Sequence, residues 1–174
     1  MPIPNSIWFR SGAFGGGFAA ILALLGASHD PRNALFVWNA TASAPIGLYR
    51  VLPEKTLRRG DLVLVMPPDW VQRFASIRHY LPAHIPLVKH VAALTGQTIC
   101  ARNDAISIDG ARVATRLRTD SLGRNLPAWI GCRTLSVDEV FLLMKDVRTS
   151  FDGRYFGAVS ASSIIGRLQP LWTH

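Results

Sequence analysis

Lysine is scarce in this chain: three of its 174 residues, against sixteen arginines. Cysteine is scarcer, with only Cys100 and Cys132, far apart and outside any C-x-x-C pair, so neither a zinc ribbon nor a dithiol redox motif is expected. If the chain is exported the two could form one disulfide; if it stays inside, both read as small buried hydrophobes. The five histidines build no H-E-x-x-H, and G-x-x-x-x-G-K and G-x-G-x-x-G are both missing. No metal and no cofactor is therefore expected. Acids number eleven against nineteen basic residues, for a net charge of +8. Such an excess suits an anionic partner. Aromatics make up 9% of the chain and do not interleave with a basic stripe, so nucleic acid is not expected and a membrane surface fits better. What is abundant is apolar: 49% of residues are hydrophobic and 17% charged, which excludes disorder and a charged coiled coil. The length suits one domain with a sizeable core.

Between Arg10 and Asp30 no charged residue occurs, and Phe18 to Leu25 is continuously apolar. Residues 1–29 are expected to be an export signal or membrane anchor, with residues 30–174 forming the folded domain. The uncharged stretch is slightly short for a span, and Gly15-Gly16-Gly17 weakens a helix. Gly26-Ala27-Ser28 supplies the small residues a leader-cleaving enzyme requires, so cleavage after Ser28 and retention as an anchor both remain open. The domain would then face the periplasm, either tethered to the cytoplasmic membrane or released.

Beyond Asp30 short apolar runs alternate with turns. Ala34–Trp38, Leu62–Met66, Pro86–Leu94, Val137–Met144 and Gly157–Ile165 read as strands. Ala105 to Val113 alternates on both sides of Asp109-Gly110, a dipeptide suited to a tight hairpin. Pro67-Pro68 stops one strand, and Asp69 is expected to cap a helix whose Trp70, Phe74, Ile77 and Leu81 form a stripe up to Pro82, read as core packing, with a membrane- or substrate-facing role as the other reading. The stretch Ala114–Arg133 is polar and arginine-rich, an excursion from the sheet. The expected architecture is mainly β, one antiparallel domain with a small helical insertion, behind an N-terminal membrane segment.

Lys89 interrupts an apolar strand. With a period of two, Leu87, Lys89 and Val91 share a face, so an amine projects from an apolar surface. Desolvation there lowers a lysine's pKa and suits it to act as a general base; an edge-strand lysine that discourages aggregation is the other reading. A base needs a nucleophile, and Ser43 lies among small residues ahead of a turn set by Pro45 and Gly47. Taken alone, that segment is an ordinary serine-containing loop.

Four segments together resemble an ordered set of motifs: Ser43-Ala-Pro-Ile-Gly-Leu-Tyr49, Arg59-Gly-Asp-Leu-Val63, Leu87-Val-Lys-His-Val91 and Ser150-Phe-Asp-Gly-Arg-Tyr-Phe-Gly157. In order and spacing they are similar to the signal peptidase I family of Ser/Lys proteases, on the side of its conjugative-transfer branch, the TraF-type pilin-processing peptidases. The resemblance implies that Ser43 is the nucleophile and Lys89 the general base. It implies that the Ser43 backbone N–H and the Thr41 hydroxyl form the oxyanion hole, and that Ser150 orients the lysine. It further implies that Asp152 and Arg154 form a supporting ion pair. The chain departs from the family pattern at Leu94-Thr-Gly-Gln97, at Lys145-Asp-Val-Arg148 and at Gly153, where the family often has serine.

The function so implied is a membrane-associated serine endopeptidase that processes an exported pilin-type precursor during conjugative transfer, with cyclisation or simple cleavage as the outcome. Its expected partners are that precursor, the cytoplasmic membrane and components of a conjugation apparatus. Two other readings stand beside it: a general type I leader peptidase, and a noncatalytic periplasmic module that scaffolds a conjugation or secretion apparatus.

Overall fold

The computed structural model describes residues 33–53 and 56–174. The expected signal or anchor segment 1–29 lies outside the described residues, as does Lys55. Among the described residues no helix is long and apolar enough to cross a membrane.

The domain is mainly β. Its strands are β1 (Phe36–Asn39), β2 (Gly47–Leu52), β3 (Leu62–Val65), β4 (Leu87–Ala93), β5 (Thr98–Arg102), β6 (Ala105–Ile108), β7 (Ala111–Thr115), β8 (Gly131–Thr134), β9 (Glu139–Leu143), β10 (Val159–Ser160) and β11 (Ile164–Thr173). Two helices, α1 (Asp69–Ile77) and α2 (Gly153–Phe156), interrupt them. Seven strands form one sheet in the order β1-β2-β11-β3-β4-β9-β10, and four form a second in the order β7-β6-β5-β8. Every pairing is antiparallel.

The large sheet is apolar on both faces because β3 reads Leu-Val-Leu-Val. Leu64 packs with Val37, Tyr49, Val88 and Met144, while Val63 and Val65 pack with Val91, Val140 and Leu142. A third cluster, Ile99, Ile106, Leu135, Phe141 and Leu143, joins the two sheets. The hairpin between β6 and β7 turns at Asp109-Gly110 as expected, with φ of 48° and 81°.

Two expectations about α1 are corrected. Asp69 is its first helical residue and caps nothing with its side chain; Pro68 occupies the cap position, since its fixed φ suits a helix start. The stripe Trp70, Phe74, Ile77, Leu81 is not the core face, because Trp70 and Ile77 are exposed while Val71 and Ala75 are buried. A helix of nine residues with only Val71 and Ala75 buried covers a narrower stripe than the apolar pattern offers.

Strands β2, β5 and β8 and the ten-residue β11 were not expected. Cys132 falls on a strand rather than in the excursion, and Cys100 and Cys132 face each other in register on β5 and β8 and form the disulfide left open by the sequence. Strand β8 is exposed at all four positions, so it carries no alternation to read.

Candidate active site

The site begins where β1 ends. Asn39 is buried, and its amide nitrogen lies 3.0 Å from each of the carbonyl oxygens of Thr41, Ala44 and Pro45. Its Oδ1 accepts from the Thr41 N–H at 3.2 Å and the Thr41 hydroxyl at 2.8 Å. One side chain thus ties a whole turn, a role suited to Asn because it both donates and accepts. The Tyr49 hydroxyl donates to the Pro45 carbonyl at 2.6 Å and fixes the turn's far side, and burial raises the Tyr49 pKa. Gly47 is required by close approach: a side chain there would collide with the Trp172 carbonyl, 2.0 Å from where its Cβ would sit.

Ser43 sits on this turn, its Oγ 3.1 Å from that of Thr41. Since Asn39 Oδ1 can only accept, the Thr41 proton points to Asn39 and Ser43 donates to Thr41. The Thr41 hydroxyl is therefore beside Ser43 as expected, with its proton held away from it. Among the described residues the Ser43 backbone N–H has no partner within the chain.

Lys89 lies in the middle of β4, opposite Val63 in register and only 3% exposed. The edge-strand reading is thereby overturned, because β4 is flanked by β3 and β9. Burial lowers its pKa from 10.5 to about 8; Asp152 pulls upward against that and Arg154 adds to it. The Arg59-Gly60-Asp61 segment anchors this strand beyond the regular ladder. Val91 exchanges backbone bonds of 2.8 and 2.9 Å with Gly60 and Asp61, and Arg59 Nε donates to the Ala92 carbonyl at 3.1 Å. His90 faces away, bonded through Nδ1 to the Gly60 carbonyl at 2.9 Å.

The last segment supplies what surrounds the amine. Asp152 and Arg154 are 0% and 1% exposed, with Arg154 Nε 3.3 Å from Asp152 Oδ1, so the pair is buried rather than superficial. The Asp152 carboxylate also accepts from the Met144 N–H at 2.9 Å and the Arg154 N–H at 3.1 Å. Burial pushes its pKa up, while Arg154, those N–H groups and Lys89 pull the other way. Arg154 donates further to the carbonyls of Arg148 and Met144. Gly153 lets α2 lie against β9: its Cβ would meet the Leu142 carbonyl and the Phe141 ring, each 2.7 Å away. Ser150 is 3% exposed, and its Oγ has no hydrogen-bond partner among the described residues.

Ser43, Thr41, Lys89 and Ser150 all line one cleft of about 410 Å³, whose other walls are mostly apolar, including Trp38, Leu87 and Phe151. Among the described residues no hydrogen bond joins Ser43 to Lys89.

Residues 14–172 match the family described as signal peptidase, peptidase S26. The chain belongs to the S26 signal peptidase family. It is similar to the conjugal transfer protein TraF of Agrobacterium fabrum, with 36% identity over 146 residues, 78% of this chain and 81% of that one. It is also similar to a plasmid transfer protein TraF of Escherichia coli, with 34% identity over 172 residues, 92% of this chain and 93% of that one. Among solved structures, a signal peptidase I of Enterococcus faecalis is similar at 22% identity and a TM-score of 0.40, over 66% of this chain and 98% of that one.

In this member of the family the structure brings Thr41, Ser43, Lys89 and Ser150 to one cleft and buries the Asp152–Arg154 pair outside its lining. Sequence reasoning gave Asn39 no role, although an Asx residue at the end of an apolar run and before a turn is a readable signal. It also assigned the arginine excess to a partner. Several of those arginines are internal: Arg78 and Arg124 lie 3.5 and 2.7 Å from Asp120, which also accepts from the Tyr80 hydroxyl at 2.6 Å. That cluster fastens the excursion to the segment after α1. Although burial opposes ionisation, the Tyr80 and Arg124 bonds hold the Asp120 pKa well below its ordinary value.

Proposed function

We propose that this chain is a serine endopeptidase in which Ser43 attacks a peptide carbonyl and Lys89 serves as general base. The observation that carries the reading is a lysine buried in the sheet, its pKa lowered to about 8, opening on the same cleft as a serine whose loop is fixed at both ends.

Neutral Lys89 takes the Ser43 proton as Oγ bonds to the carbonyl carbon. The negative charge that forms on the carbonyl oxygen is met by the Ser43 N–H and by the Thr41 hydroxyl, which turns to it from Asn39. Collapse of the adduct breaks the C–N bond, and the lysine ammonium passes its proton to the departing amine. An acyl-serine remains, released by water or by a second amine that Lys89 deprotonates in turn. The Ser150 hydroxyl, free of other partners, orients the Lys89 amine, and Asp152 with Arg154 holds that wall of the cleft.

The proposed substrate is an exported pilin-type precursor with small residues beside the cut, and the likeness to relatives named as conjugal and plasmid transfer proteins supports a place in conjugative transfer. The disulfide fits a domain on the periplasmic side of the cytoplasmic membrane.

The test is cleavage of a synthetic precursor peptide by the purified chain, with acylation by a penem mapped by mass spectrometry. Acylation at Ser43, and turnover that rises through a pH of about 8, are expected. Thr41→Val should lower turnover roughly 10²-fold or more while Thr41→Ser keeps most of it. A chain that cleaves nothing and resists the penem is the scaffold module, and one that processes unrelated leaders equally well is a general leader peptidase.

A further inference from the structure

The arginine-rich excursion between β7 and β8 contains a buried cation that the mechanism does not use. Arg116 is 7% exposed and has no carboxylate within ion-pair distance among the described residues. Instead it donates to three main-chain carbonyls: Asn103 at 2.7 Å, Trp129 at 2.9 Å and Arg154 at 3.4 Å. A guanidinium held only by carbonyl oxygens is costly to bury, so its contacts have a specific purpose. Close by, the Trp129 indole N–H donates to the Gly153 carbonyl at 2.8 Å, and its ring stands edge-on to Phe141. The Leu117 N–H donates to the Tyr155 hydroxyl at 3.2 Å.

These bonds converge on α2. A four-residue helix has almost no carbonyls satisfied within itself, and of those of Gly153 and Arg154 only the first has a helical partner, the Gly157 N–H at 3.0 Å. The excursion supplies the rest. The residues so braced neighbour the lysine: Asp152 and Arg154 act on its charge and Ser150 lines the same cleft, with Ser150 and Asp152 leading into α2 and Arg154 within it.

We infer that Arg116 and Trp129 are positioning residues for Lys89, acting from behind α2 to hold Ser150, Asp152 and Arg154 against the amine and keep water out. The inference deepens the peptidase reading and rests on it for its catalytic meaning, but the placement of the amine can be tested without turnover. The groups that set the lysine's protonation are Asp152 and Arg154 on the α2 side, with Ser150 and Tyr155 as neutral hydroxyls. Asp120 also lines the cleft, already engaged by Tyr80, Arg78 and Arg124, and His90 faces away toward Gly60.

Because the chain has three lysines, its side-chain carbons can be labelled and titrated individually by NMR. Trp129→Phe keeps a ring and deletes the N–H with no change of charge; Arg116→Met removes the guanidinium. Arg118→Met is the control, two positions away, exposed, and paired with Asp104 at 3.0 Å. Loosening α2 admits water and favours the ammonium, so the Lys89 midpoint should move upward in both variants. A rise of about half a unit is expected in Trp129→Phe, a roughly threefold loss of neutral amine at neutral pH, with a larger rise in Arg116→Met. The pH–rate profile should move alkaline by the same amount, and Arg118→Met should change neither. An unmoved Lys89 midpoint in folded Trp129→Phe overturns the inference, whether or not Arg116→Met folds. If the wild-type chain cleaves nothing yet the midpoint moves as stated, the positioning stands and the peptidase reading falls.

Discussion

In the large sheet β3 is flanked by β11 and β4 and its valines and second leucine are buried, whereas in the small sheet β8 is exposed along its length and tied to β5 by a ladder and a disulfide. The first is held by apolar burial, and that burial gives Lys89 a poorly solvated setting. The second has too little core of its own and depends on Cys100–Cys132, on the Arg133 pair with Glu139 at 2.8 Å, and on the cluster it shares with β9. Low-dielectric chemistry therefore belongs to the large sheet, and the small sheet contributes a rim that must be fastened from outside.

That contrast can be broken first at the amine. Lys89→Arg keeps a cation and removes the base, because guanidinium does not deprotonate in this range; processing should fall roughly 10⁴-fold or more in a precursor assay. Next comes the buried pair. Asp152→Ala strands the Arg154 guanidinium and the Met144 N–H, and should cost about 3–5 kcal/mol in urea unfolding. The small sheet yields less: replacing both cysteines with serine should lower stability by about 2–4 kcal/mol, mostly by freeing the unfolded chain.

A pH series sharpens the comparison. The folded pKa of Lys89, about 8, lies below its ordinary 10.5, so between these values the unfolded chain binds more protons and stability climbs with pH. Below that window both states carry the charge and the whole burial cost is present. Lys89→Met should therefore stabilise the protein near neutral pH, by up to about 3 kcal/mol, and the gain should fade as pH rises through the window. Smallest of all, Arg133→Ala at the exposed rim should cost at most about 1 kcal/mol in the same unfolding assay.

Much of the large sheet was readable because its strands are short apolar runs bounded by turn residues, such as Gly60-Asp61 before β3 and Pro67-Pro68 after it. Lys89 stood out for a related reason, as a charge in a run that otherwise excludes charge. Strand β8 was hidden because Gly131 to Thr134 is exposed on both sides, and β2 because its glycine and the preceding proline look like turn residues. Strand β11 was masked in part by Pro170, which falls at an irregularity in its pairing with β2. At the site, the residues themselves pointed to Lys89 and offered Ser43, and the motif resemblance added Ser150, but neither pointed to Asn39, Arg116 or Trp129. The roles of Arg116 and Trp129 come from bonds to main-chain carbonyls, which leave no pattern in side-chain spacing, whereas Asn39 carried the readable signal of an Asx residue before a turn.

The place of β11 bears on when this protein takes shape. It is the last of the described strands in sequence, yet it sits third in the large sheet and, among the described residues, is the only bridge between β2 and β3. Its far end backs the Ser43 turn, where the Trp172 carbonyl meets Gly47 and the His174 N–H donates to the Ile46 carbonyl at 3.0 Å. Such distant pairings form slowly, because a long loop must close before any contact rewards it. Until β11 is in place, the hairpin that carries the Ser43 turn has no strand pairing, among the described residues, with the strands that carry Lys89.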